Sequence, residues 1–311
     1  MECFGCREIT QIELYYLLRI INLLQNRVHG HLQSGIEINL KYKARKSLGQ
    51  NFLIDIDVIN KTIDAADIIQ SDTILEIGPG TGKLTEAILL RSNNVVGIEL
   101  DGILFNKLQH KFNHIETLKL FNQDARTFDY DKLFGDSDYK LLANLPYYAA
   151  TYFLRMFLES NNQPVLMVLM FQKEVADTIL AKPGKMRLLS VLTQLMADVE
   201  HVCDVPKDSF EPEPSVTSTV VKFIPKPNYF SSDIDYYKFV DLLKGGFSAP
   251  RKMITNSMSN YFKIPKPEIN SLLENNNINP SCRSETLQVS EWIQLFTNAC
   301  DKLPLKHTVD R

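Results

Sequence analysis

Thr73-Ile74-Leu75-Glu76-Ile77-Gly78-Pro79-Gly80-Thr81-Gly82 is an apolar, β-branched run that breaks straight into a glycine loop, and residues 83–91 then take up helical spacing. A strand, a tight glycine turn and a helix in that order form the opening of a βαβ unit. Outward from this stretch the pattern repeats. Residues 95–99, 117–121, 140–143 and 165–170 read as further strands, with an amphipathic helix over 102–112 between two of them. Such alternation predicts an α/β fold on a mostly parallel sheet. Runs over 199–205 and 217–223 flank the Pro-rich Phe210-Glu211-Pro212-Glu213-Pro214 and predict an antiparallel edge hairpin.

Beyond Pro225-Lys226-Pro227 the strand signal stops, and helical spacing takes over across 236–244, 251–261, 267–274 and 289–302. The expected organisation is an N-terminal extension of unknown role (1–40), an α/β domain (41–225) and a small helical domain (226–311). Within the extension, residues 12–24 have the spacing of a short amphipathic helix, without the features of a secretory or mitochondrial leader.

With 311 residues, 44% of them hydrophobic and 23% charged, the chain can bury a large core. None of its apolar runs approaches the length of a membrane span. Five scattered cysteines make no disulfide framework, so a reducing, cytoplasmic setting is expected. Cys3-Phe4-Gly5-Cys6 has metal-ligand spacing but no second pair to complete a site, and no metal is expected. A net charge of -3 argues against a protein that coats nucleic acid by bulk charge. It leaves room for local basic faces, and three clusters are available: Lys41, Lys43, Arg45 and Lys46; Lys182, Lys185 and Arg187; Arg251 and Lys252.

The glycine loop predicts a nucleotide-type site. A dinucleotide fingerprint needs a third glycine where Lys83 stands, and here the glycines run Gly78, Gly80, Gly82. Glu76, two residues before the first of them, suits a cationic ligand better than a pyrophosphate. S-adenosylmethionine, with an ammonium and a sulfonium, meets that requirement. Glu99 closes the second predicted strand, where an acid can accept both ribose hydroxyls, and Asp124, after the third, can accept an adenine amino group.

Asn144-Leu145-Pro146-Tyr147 follows the fourth predicted strand and therefore lies at the same sheet edge as the loop. An amino group on a purine is a poor nucleophile because its lone pair is delocalised into the ring. Two acceptors on its hydrogens, the Asn144 side-chain oxygen and the Leu145 carbonyl, can draw the nitrogen towards tetrahedral geometry, with Pro146 fixing the turn. Tyr147 offers a face on which an extruded base can stack. A sulfonium is already an activated methyl donor, so no covalent nucleophile is required.

On these residues the chain resembles the KsgA (RsmA) family of ribosomal RNA adenine dimethyltransferases over about 41–300. The matching stretches are Lys46-Ser47-Leu48-Gly49-Gln50-Asn51-Phe52-Leu53, the loop from Glu76 to Gly82, Ile98-Glu99-Leu100-Asp101, Gln123-Asp124-Ala125, Asn144 to Tyr147, Phe171-Gln172-Lys173-Glu174, the Phe210 loop and Arg283-Ser284-Glu285-Thr286-Leu287. The resemblance implies a Rossmann-like class I methyltransferase domain with a small C-terminal helical domain. It also implies S-adenosylmethionine as cofactor, small-subunit rRNA in a 30S precursor as partner, and two methyls on each of two adjacent adenosines, carried out by a monomer. By the same resemblance Asn51 and Leu53 line the cofactor site together with Gly78, Glu99, Asp124 and Asn144, and Phe210 presses a second aromatic ring on the target base. Tyr148 departs from the family, which often has Asn there. Two other readings remain open at this point: a resistance-type methyltransferase of large-subunit rRNA, and a non-catalytic assembly factor that kept the fold.

Overall fold

The computed structural model describes residues 45, 49–227, 229–230, 232–299 and 301–306. The expected helix over 12–24, Cys3, Cys6 and the lysines at 41, 43 and 46 lie outside them. The chain forms two compact units. The first reaches to Pro146 and takes in Asp208–Pro214; the second holds Tyr147–Lys207 and the chain from Ser215 onward.

In the first unit, β2 (Thr73–Ile77), β3 (Asn94–Glu99), β4 (Leu118–Asn122) and β5 (Lys140–Ala143) are parallel and lie in the order β4-β3-β2-β5. Ile74, Leu75, Leu141 and Leu142 are fully buried, as expected of central parallel strands covered on both faces. Between these strands run α1 (Ile56–Ala65), α2 (Lys83–Leu89), α3 (Gly102–Lys111) and the short α4 (Tyr130–Phe134), with α1 preceding β2. Asp55 caps α1 by accepting from the backbone N–H groups of Asp57 and Val58, and Asp101 caps α3 in the same way through Ile103 and Leu104. The chain builds β2, β3 and β4 outward in one direction, then returns to place β5 on the other side of β2. The strand order thus reverses between β2 and β5, and in open α/β sheets ligands gather at the carboxyl ends of strands at such a point.

A two-stranded antiparallel ladder completes this unit. Strand β1 (Phe52–Leu53) pairs with β8 (Phe210–Glu211), Leu53 opposite Phe210. Neither piece has the length to announce itself as a strand. The ladder is fastened by Ser209, whose hydroxyl donates to the Asp55 carboxylate at 2.7 Å and whose carbonyl accepts from Ile54 N at 2.8 Å.

The second unit contains α5 (Tyr147–Leu158), β6 (Leu166–Gln172), α6 (Lys173–Ile179), α7 (Leu188–Met196), β7 (Ala197–Val205) and β9 (Ser218–Pro225), followed by α8 (Asp233–Phe247), α9 (Ile254–Phe262), α10 (Lys266–Glu274) and α11 (Val289–Ala299). The expected hairpin is present as β7 against β9, and β6 pairs antiparallel with the other side of β9. One core runs through the helices: Phe239, Leu243, Met258, Leu273, Trp292 and Leu295 pack with Val191, Leu192 and Leu195 of α7. Through these three residues α7 shares one core with the C-terminal helices. The expected start of a helix at 251 moves to Ile254, since Lys252 N closes a turn on the Ala249 carbonyl and Ile254 N bonds the Cys282 carbonyl.

Candidate active site

Strand register lines up the residues that the sequence singles out. Ala143, Ile77, Ile98 and Phe121 are successive partners across β5, β2, β3 and β4. The residues that follow them are Asn144, Gly78, Glu99 and Asn122. Neighbouring strands lie about 4.8 Å apart, so the turn at Asn144 and the loop at Gly78 leave the sheet side by side.

The three loop glycines all have positive φ but answer to different neighbours. At Gly78, with φ +68°, an added Cβ would meet nothing within 4 Å. That open ground beside the backbone is where a ligand can approach. A Cβ on Gly80 would stand 3.0 Å from the Phe52 ring, and one on Gly82 would stand 2.8 Å from Leu108 and 2.9 Å from Phe112. Open space therefore lies beside Gly78 alone of the three, whereas Gly80 and Gly82 make way for β1 and α3.

Three carboxylates are buried beside the loop: Glu76, Glu99 and Asp101. Glu76 accepts from the Thr85 hydroxyl at 2.6 Å. Burial pushes its carboxyl up to about 8, reinforced by the charge of Glu99 and opposed by Thr85 and Lys111. Glu99 accepts from Gly80 N at 3.0 Å through Oε2 and from Asp101 N at 2.8 Å through Oε1, and a carboxylate has the capacity to accept a ribose hydroxyl as well. Burial also raises its carboxyl above the ordinary range. Asp101, besides capping α3, is paired with Arg45 at 3.3 Å. Desolvated acids beside an open glycine backbone suit a ligand that brings positive charge and ribose hydroxyls, and S-adenosylmethionine fits on both counts.

Leu100 and Ile103 were not singled out in the sequence. They are 50% and 48% exposed directly after Glu99, an apolar surface well placed for the flat face of an adenine. The available signal was two apolar residues shortly after an acid that ends a strand. Asn122 secures that turn, donating to the carbonyls of Glu99 and Leu100 at 2.8 and 3.2 Å.

Asp124 does not stand ready as the expected acceptor. Its two oxygens accept from Arg126 Nε and Nη2, the latter at 2.6 Å, and from Arg126 N. The Arg126 hydrogen bonds hold its carboxyl below the ordinary range. An adenine amino group there has to share the carboxylate with this exposed guanidinium.

In the target turn, Leu145 has its side chain buried, while Asn144 and Pro146 are partly exposed. The Tyr147 hydroxyl lies 2.7 Å from Ser218 Oγ, which fixes the ring, and burial raises the phenol above its ordinary range. The phenol therefore stays protonated. Asn51 is partly exposed beside the ladder and Leu53 is buried within it. Phe210 is 4% exposed, so only an edge of its ring can reach a base without movement of the 210–214 loop.

A profile of the family described as ribosomal RNA adenine dimethylase matches residues 41–296. The chain belongs to this family. It is accordingly an S-adenosylmethionine-dependent rRNA methyltransferase. A ribosomal RNA small subunit methyltransferase A of Dehalococcoides mccartyi (strain CBDB1) is 42% identical over 257 residues, 81% of this chain and 87% of the relative. One from Latilactobacillus sakei subsp. sakei (strain 23K) is 35% identical over 264 residues, 82% of this chain and 89% of the relative. Among solved structures, a dimethyladenosine transferase from Plasmodium falciparum superposes with a TM-score of 0.71 at 26% identity, covering 83% of this chain and all (100%) of that one. The 23S rRNA methyltransferase ErmE, at 20% identity and a TM-score of 0.65, shares the fold. The Rossmann-like class I architecture that the resemblance implies therefore holds.

In the second unit of this rRNA adenine dimethylase, two basic clusters come together. Gly184 N and Met186 N both bond the Glu285 carbonyl, at 2.6 and 3.3 Å, and Ile254 N bonds the Cys282 carbonyl at 2.8 Å. These bonds tie the loop bearing Lys182, Lys185 and Arg187 and the turn bearing Arg251 and Lys252 to one segment, 282–285, which adds Arg283. All six cations are exposed. No helix among the described residues is long and apolar enough to cross a membrane.

Proposed function

We propose that this dimethylase transfers two methyl groups to N6 of each of two adjacent adenosines near the 3′ end of small-subunit (16S) rRNA, acting on a 30S precursor as a cytoplasmic monomer. The single observation that carries the reading is the strand register that puts Asn144, the first residue of the Asn144-Leu145-Pro146-Tyr147 turn, beside Gly78. An amine-polarising turn has a use only next to a methyl donor. S-adenosylmethionine supplies an activated methyl when bound.

The rest of the chemistry belongs to the chain. Gly78 leaves room for the donor, Glu99 holds its ribose, and Glu76 balances its positive charge. Asn51 and Leu53 close the same side, and Gly80 and Gly82 keep the loop's path. Asn144 Oδ1 and the Leu145 carbonyl accept hydrogen bonds from the target amine and direct its lone pair towards the methyl, with Pro146 holding the turn. Tyr147 stacks on the adenine, and Phe210 supports it from the ladder. Catalysis is then positioning of amine, methyl and sulfur in line, and the amine's proton leaves to water after transfer.

By role, the chain divides into a methyltransferase part (41–225) and a helical RNA-substrate part (226–311), the latter sharing the convergent basic residues around 282–285. The small-subunit reading is favoured over the large-subunit one by the Phe210 loop and the Arg283 stretch, and by relatives that carry the small-subunit name. Unmodified small subunits incubated with labelled S-adenosylmethionine should yield dimethyladenosine at two adjacent positions by mass spectrometry of the RNA. Label at other positions only, or no label at all, overturns the proposal.

A further inference from the structure

Helix α5 starts at Tyr147, the last residue of the target turn, and its two faces are unequally treated. Ala149, Ala150, Phe153, Leu154, Phe157 and Leu158 are buried, as the apolar stripe of a core-facing helix should be. On the other side Tyr148 is 66% exposed and Tyr152 is 49% exposed. They are four residues apart and so stand one above the other, about 6 Å along the axis. Tyr152 has its ring held edge-on by Phe153, with centroids 5.5 Å apart and planes at 84°. The core has no use for these rings. The residues just before them, Asn144 to Tyr147, are the ones assigned to the target adenosine, so the pair continues that site along the chain.

We infer that Tyr148 and Tyr152 form a stacking surface for an unpaired nucleotide flanking the target adenosine in the same RNA strand. The inference rests on the RNA substrate proposed above. A base taken out of its stack leaves its neighbours without stacking partners, and aromatic faces recover that loss without regard to sequence. Tyrosine suits such a surface, because its ring stacks while its hydroxyl keeps the empty face soluble. Arg155, on the same face one turn further, is held to Glu159 at 2.8 Å and gives the surface a cationic border.

The test uses the full-length protein and a small-subunit RNA fragment carrying 2-aminopurine next to the target adenosine. Wild type should quench the probe on binding. Tyr148→Ala and Tyr152→Ala should each lose quenching and raise KM for RNA about tenfold, with kcat and S-adenosylmethionine affinity within about twofold. Tyr148→Phe should behave as wild type, because the ring is kept. Quenching and KM unchanged in both alanine variants, or a Tyr148→Phe defect equal to that of Tyr148→Ala, overturns the stacking surface. So does a defect seen with intact subunits and absent with naked RNA, which points to a ribosomal protein as the occupant. Wild type that methylates no RNA at all fails the underlying reading instead, and the two failures are told apart by that control.

Discussion

The Thr85 hydroxyl donates to Glu76 Oε2 at 2.6 Å, and both side chains are buried. That bond is too little to keep Glu76 in its ordinary range, and its carboxyl is pushed up to about 8 against an ordinary value of 4.5. Between those limits the folded protein holds a proton that the unfolded chain releases. Stability therefore falls as pH rises from about 4.5 to about 8 and levels off above it. Glu99, also raised, contributes with the same sign. Thermal melts across this range should show the decline in wild type and a flatter profile in Glu76→Gln.

The same proton gives a calorimetric signature. At pH 7 the cationic donor should draw Glu76 into its charged form, and binding should release a proton. Titrations of S-adenosylmethionine in buffers of different ionisation enthalpy should give different apparent heats for wild type, and a smaller difference for Glu76→Gln. Identical heats in all buffers for wild type would contradict the assignment.

Asn144→Ala should cut methyl transfer by about 10²–10³-fold, the usual cost of removing one group that stabilises the reacting geometry. S-adenosylmethionine binding, measured by equilibrium dialysis, should hardly change, because the proposed donor site is built mainly from the ends of β2 and β3. Turnover at the wild-type rate is the result that would remove Asn144 from the mechanism.

The loop glycines should separate under alanine substitution. Gly78→Ala intrudes on open ground, so its main loss should be in cofactor affinity, with about 1 kcal/mol of backbone strain in stability. Gly82→Ala drives a methyl into Leu108 and Phe112 and should lower the melting temperature more than Gly78→Ala does. Equal melting temperatures for the two would refute the division of roles.

In α8, a Cβ on Gly246 would stand 2.3 Å from the ring of Trp292, which is fully buried. Gly246→Ala should destabilise the second unit by roughly 1–3 kcal/mol through overpacking, seen as a shifted denaturation midpoint.

RNA affinity should fall steeply with salt if the convergent cations neutralise phosphates. Replacing Lys182 and Lys185 by alanine should reduce the slope of log affinity against log salt by about 1 for each phosphate no longer neutralised, with little change in kcat at saturating RNA. An unchanged slope would place the RNA elsewhere.

Strands β2, β3, β4 and β5 were legible because short β-branched runs between glycines and polar turns have few other outcomes, and their ends moved by one residue at most. Asn144 and Glu99 were legible because each directly follows or ends such a run. The separate reasons for Gly80 and Gly82 were not, since they reside in Phe52, Leu108 and Phe112, whose approach is a product of tertiary packing. Asp124 was legible as a strand-end acid, but its occupation by Arg126 depends on a rotamer that no spacing encodes. The pairing of Leu53 with Phe210 was out of reach for a different reason: each strand has only two residues, too short to carry a period.

That ladder also sets an order on the protein's own synthesis. Asp55 and Ser209, which fasten it, are 154 residues apart in the chain. Closing so large a loop is unfavourable until the intervening strands have collapsed. The stretch at Asn51 and Leu53 is thus left without its partner while the nascent chain lengthens, and gains it only when residue 211 has cleared the exit tunnel. An enzyme that modifies ribosomal RNA would in this way close its β1–β8 ladder late in its own translation, when most of the chain is already made.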